Sequence, residues 1–88
     1  VDAHVQARRK MVEARNKIAM LSPREREVLD WLAEGCSNKM IGRELGISPR
    51  TVEIHRANLM SKLGTDHSAQ AVRLRLEAKL DEDTPFAM

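Results

Sequence analysis

The sequence predicts an all-α fold, four short helices around an aliphatic core preceded by a further N-terminal helix. Three observations predict it. Aromatic residues make up 2% of the 88 residues, so the core must be built from Leu, Ile, Val, Ala and Met. Strand-like alternation of apolar and polar residues is nearly absent. Ser-Pro pairs and single glycines stand where helices start and stop. A chain of this length makes one small domain, near the lower end of what supports its own core.

Residues 2–19 contain neither Gly nor Pro and read as one helix. His4, Ala7, Met11, Ala14, Ile18 and Leu21 follow a heptad-like spacing, with Val5, Val12 and Ala19 beside it. Fewer than three heptads do not hold a coiled coil alone in water. Two uses remain open: a linker or signalling helix that joins upstream sequence or pairs with a second copy, and a helix packed on its own domain. The first residue, Val1, reads as the start of a fragment or processed chain, and Arg8-Arg9-Lys10 as a solvated face.

Ser22-Pro23-Arg24-Glu25 is a capping box with Pro at the first helical position, which starts a helix that Gly35 closes. Val28, Leu29, Leu32 and Ala33 form its buried stripe, with Trp31 at the edge. Ser37 caps a short helix from Asn38 to Leu45, with Ile41 and Leu45 inward. Gly46 stops it, Ile47 packs, and Ser48-Pro49 starts the next helix, residues 49–63. Along that helix Leu59 and Leu63 each fall within about 20° of Val52, and the three form a narrow apolar seam. The opposite face carries Arg50, Ile54, Ala57 and Ser61, flanked by Thr51, Glu53 and Asn58. Its small or apolar centre and polar edges suit entry into a groove rather than plain solvation. A short helix, a glycine break and a longer helix form a helix-turn-helix pattern, whose second helix enters the DNA major groove.

The last helix is expected from about His67 to Lys79, capped by Thr65 or Asp66. It shows two apolar stripes: Ala69, Val72, Leu76 and Leu80 to close the core, and Ala71, Leu74 and Ala78 left over for a partner, most simply a second copy. Residues 81–88 read as a flexible acidic tail.

Net charge is +2, too small to argue for any partner, but its distribution is uneven. Residues 38–62 carry Lys39, Arg43, Arg50, Arg56 and Lys62 against Glu44 and Glu53, whereas residues 22–37 carry an excess of carboxylates. Such segregation orients a protein on a polyanion. Single Cys36 permits no internal disulfide and reads as a small buried filler. His4, His55 and His67 have no metal-ligand spacing with one another or with Cys36, and no cofactor is implied. No membrane span or signal peptide is visible. No nucleophile–base pair and no glycine-rich phosphate loop is present, so enzyme activity is not expected.

Leu21-Ser22-Pro23-Arg24-Glu25-Arg26-Glu27-Val28-Leu29, Gly35, Asn38-Lys39-Met40-Ile41, Ser48 through Asn58 and Lys62-Leu63 together resemble the LuxR-type helix-turn-helix, closest to the FixJ subgroup of bacterial response regulators. The likeness spans roughly residues 20–78. It implies a four-helix domain over residues 20–80, with the helix-turn-helix at 38–57, behind a linker helix at 1–19. It further implies a cytoplasmic regulator of transcription that binds double-stranded DNA as a homodimer, behind an upstream receiver or sensory domain. Carried over by position, base contacts fall on Glu53, Ile54 and Ala57, with Arg56 and Asn58 assisting. Phosphate contacts fall on Lys39, Arg50, Thr51, His55 and Lys62, and the dimer contact on Ala71, Leu74 and Ala78. Ile54 and Ala57 suit thymine methyls and Glu53 suits a cytosine amino group. Arg56 lies near the seam and must snorkel outward to reach DNA.

Two positions depart from the family pattern. Gly42 replaces the usual Ala, at about 1 kcal/mol of helix stability. Glu53 replaces the basic residue of some members, so their site preference does not transfer. A second reading is a protein-interaction module that docks through the 2–19 stripe or through Leu74 and Ala78.

Overall fold

The computed structural model describes the backbone of residues 2–83 and the side chains of residues 5–79. Within them are five helices: α1 (Asp2–Ala19), α2 (Pro23–Ala33), α3 (Asn38–Leu45), α4 (Pro49–Leu63) and α5 (Ser68–Asp83).

Local chemistry sets the helix ends. The Ser22 hydroxyl accepts the Glu25 N–H while Glu25 accepts the Ser22 N–H, so the capping box is complete. Ser37 and Ser48 cap α3 and α4 by accepting the N–H groups of Met40 and Thr51. Gly46 and Gly64 close α3 and α4 in the left-handed conformation, where a Cβ is strained.

The core joins Leu21, Val28, Leu29, Ile41, Val52, Leu59, Leu63 and Ala71, drawn from all elements between α2 and α5 and from the turn before α2. Ile18 of α1, Trp31, Leu32, Leu45, Ile47 and Leu74 pack around it. The seam of α4 is wholly buried, so the opposite face of that helix points away from the domain.

Three expectations are corrected. First, the assignment of the two α5 stripes is reversed: Ala71 is fully buried and Leu74 packs against the core, while Ala69 and Leu76 are exposed and Val72 is half-buried. Of the residues expected to meet a second copy, Ala71 is therefore enclosed, and Leu74 and Ala78 are half-buried within the chain. α1 supplies part of the cover. It lies along α5, with Ala14 fully buried and Leu74 and Ala78 facing α1 residues across shallow grooves. This favours the second use of α1, packing on its own domain, although Val5 and Val12 stay exposed.

Second, α5 starts at Ser68 and continues to Asp83, beyond the expected end at Lys79. Residues 81–83 thus belong to the helix. The rest of the expected tail, 84–88, and the side chains of His4 and Leu80 lie outside the described residues. An Arg75 Nε to Asp30 Oδ1 contact of 2.7 Å ties α5 to α2.

Third, Gly42 has a packing reason. A Cβ there would stand 2.6 Å from the Ile47 carbonyl oxygen, a backbone atom that cannot swing aside. The same turn donates the Ile47 N–H to the Gly42 carbonyl at 2.9 Å. Glycine lets the 46–49 turn lie against α3 and sets the corner between the two helices.

Candidate nucleic-acid interface

The outward face of α4 is built from the seam on its other side. With Val52, Leu59 and Leu63 held in the core, Arg50, Glu53, Ile54, Ala57, Asn58 and Ser61 are all exposed. Ile54, a large apolar side chain, keeps 53% of its surface in solvent. An apolar centre with polar edges on a helix that projects from the domain has the shape of a groove reader.

Around this face the described side chains divide in two. Glu53, Ile54, Ala57 and Asn58 stand free on α4, and Lys39 and Arg50 stand free at the helix starts. Thr51 and His55 are half-buried, and the Thr51 hydroxyl shares a 2.9 Å hydrogen bond with the Ser48 cap. Arg43, counted from the sequence among the cations of residues 38–62 but not as a phosphate contact, is exposed as well. Its spacing of four from Lys39 places both on one face of α3, and that spacing was the available signal.

Arg56 and Lys62 are held elsewhere. Arg56 does not snorkel outward: Nη1 donates to Asn38 Oδ1 at 2.7 Å and Nη2 to Ser68 Oγ at 2.6 Å. A part-buried guanidinium so near two oxygen acceptors binds them in preference to reaching for solvent. Lys62 Nζ donates to Glu25 Oε1 at 2.8 Å. Glu25 is 5% exposed, and a buried carboxylate needs a cation partner. Burial alone would raise the Glu25 pKa; hydrogen bonds from Lys62 and the Ser22 N–H, with the Lys62 charge, outweigh it and bring it below the ordinary carboxylate value.

Among the described residues no cluster of three or more His, Cys, Asp or Glu side chains has metal-binding geometry, and no helix is long and apolar enough to cross a membrane. Cys36 is half-buried beside the core.

Comparison with known proteins gives a consistent picture. The family described as bacterial regulatory proteins, luxR family, matches residues 19–75. The chain is 48% identical over 67 residues to the transcriptional regulatory protein FixJ of Bradyrhizobium diazoefficiens, covering 76% of this chain and 33% of that protein. It is 51% identical over 53 residues to the transcriptional regulatory protein UhpA of Escherichia coli, covering 60% of this chain and 27% of the relative. Among solved structures, full-length FixJ from B. japonicum superposes with a TM-score of 0.71 at 43% identity, over 84% of this chain and 38% of that one. The chain therefore spans about a third of the length of the relatives it matches.

Proposed function

The chain belongs to the luxR family of bacterial regulatory proteins, and from that premise we propose that it is the DNA-binding effector domain of a transcriptional regulator, with α4 lying in the major groove. The observation that carries this reading is the free outward face of α4, where exposed Ile54 sits among Glu53, Ala57 and Asn58.

In this reading Ile54 and Ala57 meet thymine methyls, Glu53 accepts from a cytosine amino group, and Asn58 assists at the groove edge. Arg50 and Lys39 contact phosphates, with Thr51 and His55 beside them and Arg43 added from the exposed face of α3. These contacts set register and make affinity depend on salt, while the base contacts choose the sequence. Neither Arg56 nor Lys62 is needed as a DNA contact.

Two copies act together on two half-sites, because one recognition helix offers only a small interface. The surface available for pairing is the exposed edge of α5 at Ala69 and Leu76, with half-buried Val72 beside it, rather than enclosed Ala71 and the half-buried Leu74 and Ala78 that face α1. An upstream receiver domain in a cytoplasmic protein completes the proposal, in line with regulators about three times as long as the matched region.

Selection of genomic fragments with the purified domain, followed by a salt titration on the enriched sequence, tests the proposal. An enriched inverted repeat whose affinity falls steeply with salt is the expected result. No binding at low salt would overturn it.

A further inference from the structure

Arg56 joins three helices through one planar group. It stands on α4, yet its two terminal nitrogens are bound to Asn38, the first residue of α3, and to Ser68, the first residue of α5. These acceptors lie 18 and 12 residues away in sequence, so the ties are tertiary. The other holds on α4 are the apolar seam of Val52, Leu59 and Leu63 and, at its last turn, the single Lys62–Glu25 contact. Apolar burial is non-directional and leaves a helix some freedom to roll about its axis. Directional hydrogen bonds from a rigid fork remove that freedom, because both acceptors are met only at one roll angle.

We infer that Arg56 is a positioning residue of the recognition helix: it fixes the roll of α4 against the starts of α3 and α5, and so aims Glu53, Ile54 and Ala57, without touching DNA itself. This rests on the reading of α4 as the groove-binding helix. A lysine at this position offers one nitrogen instead of a fork and cannot hold both acceptors in the same plane.

The test compares Arg56→Ala, Arg56→Lys, Ser68→Ala and the Arg56→Ala/Ser68→Ala double variant on the sequence selected by the unaltered domain, with circular dichroism confirming that each is folded. Arg56→Ala is expected to weaken binding about tenfold, the loss of charge-assisted bonds, with base preference and salt slope unchanged. Arg56→Lys is expected to recover only part of that loss. Ser68→Ala, off the recognition helix, is expected to weaken binding by about threefold on its own and to add nothing to Arg56→Ala, since both remove one shared tie.

A change in preference at one base position, or a salt slope smaller by about one, would make Arg56 a DNA contact and overturn the inference. Independent, multiplying effects of the two substitutions would overturn it as well. Amide exchange in the DNA-free domain separates this inference from the DNA reading. Arg56→Ala should quicken exchange about tenfold at Ile41 and Ala71, in the first turns of α3 and α5, and leave α2 unchanged. If the unaltered domain selects no DNA but this quickening is seen, the DNA reading fails while the tie stands; unchanged exchange overturns the tie.

Discussion

Glu25 Oε1 accepts two hydrogen bonds, from the Ser22 N–H at 2.9 Å and from Lys62 Nζ at 2.8 Å. The carboxylate that starts α2 therefore also holds the last turn of α4, the helix proposed to enter DNA. A local capping motif and a tertiary ion pair share one oxygen.

This pair gives stability a definite response to acid. The Glu25 pKa is lowered in the folded chain below its ordinary 4.5. A lowered carboxylate pKa stabilises the fold fully above the unfolded value, and that contribution is lost as the pH falls through the folded value. Glu25→Gln is expected to destabilise the domain by about 1–2 kcal/mol near neutral pH. The low end is favoured because Lys62, 39% exposed, rehydrates when its partner is removed. Urea unfolding at neutral pH and again well below the ordinary carboxylate pKa checks this: the gap between the two proteins should shrink in acid. A gap that stays constant would remove the pair from the account.

Gly42→Ala should destabilise, although helix propensity alone argues the reverse. Ala in place of Gly adds about 1 kcal/mol to an open helix. Here the new methyl would meet the Ile47 carbonyl at 2.6 Å and force the α3–α4 turn to move. A net loss of about 1–3 kcal/mol is expected, the usual range for overpacking. Thermal unfolding reads it directly, and a raised melting temperature would show that the turn yields easily.

The positions legible in the sequence are those where the informative neighbours are local. Ser22, Ser37 and Ser48 act on N–H groups three residues ahead, and Gly46 acts on its own backbone. The seam of α4 is equally plain because Val52, Leu59 and Leu63 leave only one apolar direction for the helix to bury. α5 offered two apolar stripes of similar strength, so periodicity alone did not say which faced inward. Arg56 and Lys62 were hidden for another reason. A long cationic side chain can end on DNA or on a distant acceptor, and Ser68 and Glu25 come near only in the folded chain. Gly42 looked like a weakness because the Ile47 carbonyl against it is a feature of the turn, not of the helix.

Glu53 and Arg50 should separate preference from affinity. Glu53→Ala is expected to relax discrimination at one base pair, worth about 1–3 kcal/mol, with other positions unaffected. Arg50→Ala is expected to weaken binding to every sequence and to lower the salt slope by about one. Binding-site selection on both variants, with salt titrations, distinguishes the two roles. An unaltered preference in Glu53→Ala would move base reading elsewhere on α4.

The two faces of α5 should respond oppositely to the same substitution. Leu76 is 56% exposed, so Leu76→Asp places a carboxylate in water and should leave the melting temperature nearly unchanged. Ala71 is fully enclosed, and Ala71→Asp would bury an unpaired charge among Leu59, Leu63 and Val28, at about 3 kcal/mol or more. If the open stripe pairs two copies, Leu76→Asp should bind a single half-site as well as the unaltered domain does but lose cooperative binding to a double site. Titration of both DNA lengths, alongside thermal melts, decides the matter. Cooperativity that survives Leu76→Asp would place the pairing surface elsewhere, with the exposed Val5 and Val12 edge of α1 the next surface to substitute.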